Sequence, residues 1–369
     1  MAAGKPALVV SAVNLVEAGP LSILRDCLAY ASRALTADYR VIALVHRASL
    51  VDAPGVELRE FPDAKRSWGR RLWHEYVRFR AVSRELQPYL WLSLHDITPA
   101  VHAERQAVYC HNPSPFYRLR LADARLDPRF ALFALGYGWL YRINLHRNRF
   151  VVVQQDWLRN EFESRFGVRS VVVAHPDTPP LASGPQGGMA RAPGAPTVFF
   201  YPALPRVFKN FEAIAAAVER LRADGVRGFE VRLTIDGSEN RYARHLAGRL
   251  SALPEVRLLG RQSRDGVYAL YREADCLLFP SRLETWGLPI TEFKATGRPM
   301  LVADCRYAVE TVGDYPAVAF HGPDDGARLA ALMRDVIDRR FRPEPRRMPV
   351  PREPFARDWA RLFEILLRG

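Results

Sequence analysis

Cysteine is scarce in this chain of 369 residues, with four residues that are scattered along the sequence. No pair has the spacing of a metal-binding motif, and a disulfide framework is not expected at this size, which favours a reducing, cytoplasmic setting. No stretch approaches the roughly 18 uncharged apolar residues of a membrane-spanning helix. The amino-terminal residues lack the apolar core and cleavage site of a secretory signal.

Two nucleotide- or metal-binding patterns are also absent. No Gly-x-Gly-x-x-Gly follows the first predicted strand, Ala7–Ser11, which argues against a dehydrogenase. No Asp-x-Asp motif lies where it could hold a divalent metal. Apolar residues make up 49% and charged residues 25% of the chain, which excludes disorder along its whole length.

The sequence does contain alternating apolar strands and amphipathic helices on both sides of a segment rich in proline and glycine. That segment, residues 177–196, is a predicted linker between an N-terminal domain, residues 1–176, and a C-terminal domain, residues 197–351. Residues 352–369 are predicted to form a helix that packs back on the first domain. Alternating strands and helices indicate parallel sheets, so we expect two doubly wound Rossmann-like α/β domains facing a cleft.

The most informative stretch begins at the predicted strand Cys276–Phe279. A loop with Glu284 follows, and then a helix that carries Glu292 in its expected first turn. Each carboxylate can accept hydrogen bonds from adjacent hydroxyl groups of a polyol. Taken alone, the spacing of eight residues between the two glutamates is also compatible with coincidence.

Backbone N–H groups and two cations complete this candidate site. The N–H groups at the loop and helix start can bind phosphate oxygens or sugar hydroxyls. Arg206 and Lys209, in another loop between a strand and a helix, can neutralise a diphosphate, arginine through its planar fork and lysine as a point charge. The alternative is that both are solvated surface cations. The residues whose N–H groups are meant are Thr285, Trp286, Gly287 and Leu288.

These patterns resemble the donor-site signature of retaining glycosyltransferases of family 4, the group 1 enzymes of bacterial exopolysaccharide and O-antigen assembly. These enzymes have the two-domain GT-B fold. The signature contains Pro-Ser, a glutamate, aromatic-Gly-Leu-Pro, a second glutamate eight positions after the first, and Ala-x-Gly-x-Pro before a strand that ends in aspartate. Its points in this sequence are Pro280, Ser281, Glu284, Trp286, Gly287, Leu288, Pro289, Glu292, Ala295, Gly297, Pro299 and Asp304.

The resemblance implies roles for the residues of the second half. Glu284, with the amides near Gly287, would contact the donor sugar and phosphates, and Glu292 would bind the ribose hydroxyls. Arg206 and Lys209 would stabilise the leaving diphosphate. Gly237 and Arg261 match two further donor-binding positions of the family, the latter in the segment where the base commonly packs.

The first half matches the family more loosely. Gly19, in the loop formed by residues 16–20, occupies the place of the glycine-rich loop that approaches the donor phosphates, or it belongs to an ordinary strand–helix turn. His111, at a strand end, resembles the histidine that faces the donor sugar. His95 and Asp96, at another strand end, would line the acceptor side or form a local His–Asp pair.

The resemblance therefore implies transfer of a hexosyl group from a nucleotide diphosphate sugar to an acceptor hydroxyl, with retention at the anomeric carbon. A GDP-mannose-like donor is favoured and a UDP-sugar comes next. No metal or other cofactor is expected, because the cations and amides would stabilise the leaving group. The resemblance also implies that the leaving phosphate deprotonates the acceptor, so no protein nucleophile is assigned. The alternative is a non-catalytic protein of the same fold that binds sugar nucleotides or polysaccharides.

The net charge of +13 suggests an anionic partner. Residues 1–150 hold 21 basic and 13 acidic side chains, and the stretches Asp63–Leu86 and Phe116–Phe150 interleave arginine with aromatic residues. This pattern predicts peripheral association with an anionic membrane, here its inner face, and favours a lipid-linked glycan as acceptor. An arginine-rich coding bias is the alternative. Nucleic acid is not a predicted partner, because no known nucleic-acid-binding module is present.

Overall fold

The computed structural model describes residues 4–176, 194–348 and 350–369. The described residues form two compact units. The first contains residues 4–116, 135–176 and 351–369, and the second contains residues 117–134, 194–348 and 350. Most of the predicted linker, residues 177–193, lies outside the described residues.

Parallel strands make up both sheets. In chain order the strands are β1 (Ala7–Ser11), β2 (Arg40–Val45), β3 (Glu57–Glu60), β4 (Pro88–Ser93), β5 (Arg105–Cys110), β6 (Phe150–Val153), β7 (Val171–Ala174), β8 (Thr197–Tyr201), β9 (Phe229–Leu233), β10 (Val256–Leu258), β11 (Cys276–Phe279), β12 (Met300–Ala303), β13 (Val318–His321) and β14 (Phe355–Ala356).

Helices connect most of these strands. They are α1 (Ala18–Ala34), α2 (Trp68–Trp73), α3 (Phe79–Leu86), α4 (Leu121–Leu126), α5 (Pro128–Arg142), α6 (Asp156–Phe166), α7 (Phe211–Ala223), α8 (Arg241–Leu250), α9 (Arg264–Glu273), α10 (Leu288–Phe293), α11 (Ala308–Val312), α12 (Gly326–Ile337) and α13 (Trp359–Arg368). Among these helices, none is both long enough and apolar enough to cross a bilayer.

The sheet of the first unit has eight strands in the order β14-β7-β6-β5-β4-β1-β2-β3. Its central strands are buried along almost their whole length, as expected for a parallel sheet covered by helices on both faces. The chain starts at β1, builds outwards through β2 and β3, and then returns to β4 on the other side of β1. The strand order therefore reverses between β1 and β4.

The sheet of the second unit has six strands in the order β10-β9-β8-β11-β12-β13. Numbered within the unit, this is the order 3-2-1-4-5-6 of the doubly wound nucleotide-binding fold, with its reversal between β8 and β11. The predicted fold class, two Rossmann-like α/β domains with parallel sheets, is thus confirmed.

Two segments group with a unit that is distant from them in sequence. Strand β14 pairs with β7, and α13 buries Leu362, Phe363 and Leu366 in the core of the first unit. Residues 117–134 group with the second unit. The ring of Phe130 lies 5.2 Å from that of Phe208, and an Arg120 guanidinium nitrogen is 3.3 Å from the Asp324 carboxylate.

The predicted basic and aromatic stretch Asp63–Leu86 is helical without a break from Trp68 to Leu86. A π-helical turn, residues 74–78, separates α2 from α3. Arg71 and Glu75 are buried, whereas Trp68, Trp73 and Val77 are exposed. Because Arg71 faces the interior, only part of this stretch can contact another surface.

Candidate functional site

The loops that follow β8 and β11 meet at the reversal of strand order in the second sheet. These two strands pair directly, with Cys276 opposite Phe199, so their carboxyl ends are adjacent. In doubly wound sheets, ligands bind in the crevice that such a reversal leaves outside the carboxyl ends of the strands. The loop after β8 carries Lys209, and the loop after β11 carries Glu284.

Lys209 and Glu284 form an ion pair across these two loops. The Lys209 Nζ lies 2.5 Å from Glu284 Oε1, and the two side chains are 17% and 12% exposed. The ammonium also lies 5.7 Å from the ring centre of Phe208 and 5.9 Å from that of Phe279. Since the pair is largely shielded from solvent, the charges interact more strongly than in an exposed ion pair. The structure therefore brings together two of the residues that we predicted to contact the donor.

Gly287 is the N-cap residue of α10, the short helix that begins at Leu288 after this loop. Its φ of +91° is a left-handed conformation, and a Cβ at this position would lie 3.4 Å from the Phe279 ring. Both observations favour glycine. No side chain caps α10 at this end, and the first N–H groups of a helix have no acceptor within it. Amides at Gly287 and Leu288 are accordingly suited to bind ligand oxygens.

Trp286 packs inside this loop rather than lining an open site. Its side chain is buried, and its indole N–H donates to the hydroxyl of Thr291 over 2.9 Å. The Thr311 hydroxyl donates to the Trp286 carbonyl oxygen. Any role of Trp286 would therefore be to shape the loop, while Thr285 and Leu288 are half-buried beside it.

Glu292 is the fifth residue of α10 and lies in the second turn, so its predicted place in the first turn is wrong. The helix begins at Leu288, one residue before Pro289, because the left-handed Gly287 provides the boundary. Glu292 accepts hydrogen bonds from two tyrosine hydroxyls of α9: Tyr271 at 2.9 Å and Tyr268 at 3.3 Å. Burial and the adjacent carboxylate raise the pKa of Tyr271 well above its ordinary value.

Tight turns of the backbone hold two of the predicted donor-binding positions: Gly237 lies in one such turn, and Arg261 follows another at Gly260. At Gly237, with φ of +97°, a Cβ would lie 2.7 Å from the Ala247 Cβ. At Gly260, with φ of +66°, a Cβ would lie 2.8 Å from a carboxylate oxygen of Asp236. Glycine at these turns lets the backbone approach its neighbours closely. Arg261, next to Gly260, is exposed.

Arg206 is also exposed, and its carbonyl oxygen accepts a hydrogen bond from the Lys209 amide over 2.8 Å. This bond closes the 3-10 turn from Val207 to Lys209. Arg206 is thus at the start of the same turn as Lys209, but its side chain extends towards solvent. Its predicted contact with a diphosphate stays a prediction.

A buried asparagine for which the sequence indicated no role joins the loops of this site. Asn210 has a left-handed backbone with φ of +57°. Its amide donates to the carbonyl oxygens of Pro280, at 3.0 Å, and Pro323, at 2.8 Å. Its Oδ1 accepts from Arg282 at 2.7 Å. One side chain therefore ties the Lys209 loop to the Glu284 loop and to the loop after β13.

Arg282 strengthens this connection. Its backbone amide donates to the carbonyl oxygen of Phe208 over 2.7 Å, and its guanidinium lies 2.8 Å from Asp324. The signal for Asn210 was present in the sequence, because asparagine is one of the few residues that tolerate a left-handed backbone. Which carbonyls it reaches could not be predicted, since they belong to loops far away in sequence.

The first unit has a polar cluster at its own reversal of strand order. His95, after β4, has its Nε2 3.0 Å from the hydroxyl of Ser11 at the end of β1. The same Nε2 is 3.5 Å from Oε1 of Glu75, which accepts from Arg71 at 2.7 Å. Burial raises the pKa of Glu75 to about 7 and lowers that of His95. The alternative of a local pair between His95 and Asp96 is therefore wrong.

Asp96 instead supports the predicted sugar-facing histidine. Its Oδ1 accepts from the backbone amides of His111, at 2.5 Å, and Asn112, at 2.9 Å. The His111 ring lies tilted against Tyr109 with the ring centres 4.2 Å apart. Burial lowers the pKa of His111, which favours the neutral ring.

Gly19 lies in a helix rather than in the predicted loop of residues 16–20. Helix α1 begins at Ala18, so Gly19 and Pro20 occupy its first turn. Proline is favourable in a first turn, because its missing N–H would have no acceptor there. The loop between β1 and α1 is thus shorter than the sequence suggested.

Part of the chain is similar to a known protein family. Residues 189–349 match the family model described as glycosyl transferases group 1. Lys209, Glu284 and Glu292 all lie within this segment. The match covers less than half of the chain, so it shows similarity to this family for that segment.

Two curated relatives match parts of the chain. A D-inositol 3-phosphate glycosyltransferase from Nocardia farcinica is 32% identical over 118 residues, which are 31% of this chain and 26% of the relative. A glycogen synthase from Mycobacterium tuberculosis is 28% identical over 130 residues, which are 35% of this chain and 31% of the relative. The chain thus matches less than a third of the length of either relative.

Solved structures match over nearly the whole chain, at low sequence identity. The lipopolysaccharide outer core galactosyltransferase WaaB in its apo form has a TM-score of 0.63 at 12% identity and covers 92% of both chains. Anabaena Alr3699/HepE in complex with UDP and glucose has a TM-score of 0.58 at 12% identity and covers 90% of both chains. These similarities show that the fold is shared with GT-B glycosyltransferases.

Replacing Asn210 by alanine should destabilise the second unit by about 3 kcal/mol, because buried hydrogen bonds are lost and alanine is strained in a left-handed backbone. Asn210→Gly loses the same bonds without that strain, so it should cost about 1 kcal/mol less. Denaturant unfolding of both variants measures the difference. Equal stability of the two variants would show that the left-handed backbone is not the constraint that we infer.

Replacing Glu75 by glutamine should flatten the pH dependence of stability of the first unit. The folded carboxyl group keeps its proton up to about pH 7, whereas the unfolded one releases it near its ordinary value of 4.5. The folded state therefore binds more protons between these values, and the free energy of unfolding falls as the pH rises. His95, whose lowered pKa has the opposite effect, is present in both proteins. The measurement is the free energy of unfolding of both proteins between pH 4.5 and 7. If it changes with pH equally in wild type and Glu75→Gln, the raised pKa of Glu75 is contradicted.

Proposed function

We propose that the protein is a retaining glycosyltransferase that moves a hexosyl group from a nucleotide diphosphate sugar to a hydroxyl of a glycan acceptor, in the synthesis of a cell-surface polysaccharide. The observation that carries this proposal is the Lys209–Glu284 pair at the reversal of the second sheet. A cation and a carboxylate at this point suit the two ends of such a donor, since one end carries phosphate charge and the other carries hydroxyl groups.

The proposed donor complex divides this ion pair between the two parts of the ligand. Lys209 and Arg206 would interact with the diphosphate, together with the amides at Gly287 and Leu288. Glu284 would accept hydrogen bonds from the sugar hydroxyls. Negative charge increases on the diphosphate as the glycosidic bond breaks, so positive groups held in place here stabilise the transition state more than the bound donor.

In the proposed reaction, the bond between the anomeric carbon and the diphosphate oxygen breaks while the acceptor oxygen bonds to the same face of that carbon. The acceptor proton passes to the leaving phosphate. The neutral His111 ring would face the donor sugar, and Asp96 would lie on the acceptor side. His95, which we also expected there, is buried and is therefore not proposed to contact the acceptor. We propose that Lys209 and Arg206 supply the positive charge that a divalent metal supplies in other transferases.

The donor remains a choice between two nucleotides. The sequence favours a GDP-mannose-like donor, whereas the structural neighbour with UDP and glucose bound supports a UDP-sugar. Glu292 would bind the ribose in either case, because both nucleotides have the same pair of ribose hydroxyls. The base would pack near Arg261 and thereby distinguish the two.

We further propose a lipid-linked acceptor at the inner face of an anionic membrane. Helix α5 has an exposed apolar face at a spacing of three and four residues: Leu132, Leu135 and Trp139 are each about 70% exposed. Arg129 and Arg142 are exposed on the same helix, the latter over the Trp139 ring. An apolar helix face flanked by arginine suits a surface of anionic lipid.

A panel of GDP-, UDP- and dTDP-sugars in a thermal-shift assay tests the donor site. The correct nucleotide sugar at 100 times its dissociation constant should add about 2.7 kcal/mol to the free energy of unfolding. Glu292→Ala and Lys209→Met should lose most of this increase, because they remove the proposed ribose and phosphate contacts. A matched control is Glu219→Ala, which removes a carboxylate paired with Arg249 on the outer helices α7 and α8.

The panel, together with an assay of sugar transfer, distinguishes the glycosyltransferase from the non-catalytic binding protein. No stabilisation of the wild-type protein by any nucleotide sugar would contradict the donor site. Stabilisation without sugar transfer to polyprenyl-diphosphate-linked glycans would favour the non-catalytic sugar-nucleotide-binding protein. An equal loss of response in Glu219→Ala would mean that the glutamate and lysine variants act through general destabilisation.

Sedimentation with vesicles tests the membrane proposal. Wild-type protein should bind vesicles that contain anionic phosphatidylglycerol, and Trp139→Ala should bind about ten-fold more weakly, because a large side chain no longer leaves water. Val350→Ala removes an exposed apolar side chain elsewhere and is the control. Added salt should release the protein. Failure to bind anionic vesicles, or binding that salt does not affect, would contradict the proposal.

A further inference from the structure

The carboxylate proposed to hold the ribose already has two hydrogen-bond donors on the neighbouring helix. The hydroxyl of Tyr271 donates to Glu292 Oε2 over 2.9 Å, and that of Tyr268 donates to Oε1 over 3.3 Å. The tyrosines are three residues apart on α9 and so project from the same side of the helix. The two bonds nevertheless differ in length and in surroundings.

Tyr271 is fixed in the core of the second unit. It is 1% exposed, and its ring centre lies 5.6 Å from those of Phe200, on β8, and Phe293, on α10. Its hydroxyl stays protonated because burial and the carboxylate raise its pKa well above the ordinary value. Tyr271 is therefore a permanent donor whose position cannot change without repacking the core.

Tyr268 is held less firmly. Its side chain is half-buried, and its hydroxyl also accepts from Arg264 at the start of α9, with Nη2 at 2.9 Å and Nε at 3.1 Å. The contact of 3.3 Å to Glu292 is beyond the usual length of a hydrogen bond between two oxygens. A ligand that displaced it would leave the Tyr268 hydroxyl paired with Arg264.

We propose that Tyr271 is the positioning residue of the ribose-binding carboxylate, and that Tyr268 occupies the acceptor site on Glu292 Oε1 that a ribose hydroxyl takes when nucleotide binds. This inference rests on the proposed function, because it assumes that Glu292 binds ribose. It adds two residues of opposite effect: one holds the carboxylate in place and the other competes with the ligand.

The requirements of a vicinal diol support this assignment. Two adjacent hydroxyls are best bound by the two oxygens of one carboxylate, which together offer about four acceptor sites. Oε2 of Glu292 can accept a further hydrogen bond beside the one from Tyr271. Oε1 can accept one from the ribose when Tyr268 is displaced. A carboxylate whose one oxygen is anchored loses less freedom on binding, and a preorganised group binds its ligand more tightly.

The test uses the whole chain of 369 residues and titration calorimetry with UDP, GDP and their 2′-deoxy and 3′-deoxy forms. Tyr271→Phe should bind the ribonucleotide about ten-fold more weakly than wild type, because a hydrogen bond to a charged group is lost. Tyr268→Phe should bind it about three-fold more tightly, because a competitor is removed. Tyr242→Phe is the matched control: it removes a hydroxyl bonded to Glu212, over 2.7 Å, on a different pair of helices.

The deoxynucleotides separate positioning from general destabilisation. Wild type should bind them more weakly than the ribonucleotide, and this penalty should shrink in Tyr271→Phe, because the carboxylate no longer meets the hydroxyls in a fixed orientation. A purely structural role would weaken ribo- and deoxynucleotides equally and would overturn the inference. So would a decrease in affinity of Tyr268→Phe as large as that of Tyr271→Phe.

The possible failures remain distinguishable. If wild type binds neither UDP nor GDP, or if Glu292→Ala binds as wild type does, the proposed function fails and this inference with it. If Glu292→Ala loses affinity while Tyr271→Phe and Tyr242→Phe both bind as wild type does, the ribose site stands and the tyrosine assignment alone is overturned.

Discussion

The reversal of strand order between β8 and β11 is the constraint on which the candidate site depends. Because consecutive strands are wound in opposite directions from this point, the loops that follow these two strands meet with no crossover helix between them. Lys209 and Glu284 are 75 residues apart in sequence and form an ion pair for this reason. The opposite charges are partly shielded from solvent, so they attract each other more strongly than an exposed pair would.

Loops at such a position need internal support, and Asn210 supplies it. A left-handed backbone turns the chain sharply after Lys209, and the buried amide then bonds carbonyls of two other loops. The same logic applies to Gly287, where the left-handed turn ends the Glu284 loop and starts α10. Two left-handed turns and the bonds of Asn210 therefore position the Lys209 and Glu284 loops.

Both units have charged residues where the strand order of their sheet reverses, but these residues differ in their exposure to solvent. In the first unit, Arg71, Glu75 and His95 are nearly inaccessible to solvent, so their bonds hold elements of the fold together. In the second unit, Lys209 and Glu284 keep partial access to solvent. Burial rather than residue type thus separates a cluster that supports structure from one suited to binding.

The sequence by itself determined the two doubly wound domains and most strand positions, because continuous apolar runs such as Ala7–Ser11 and Cys276–Phe279 are buried wherever a parallel sheet places them. It also marked Glu284 and Glu292 through local spacing. Only the tertiary structure decided which groups meet. The partners of Glu292 and Asn210 come from elements distant in sequence, and no local pattern encodes contacts that arise when separate strands and helices pack together.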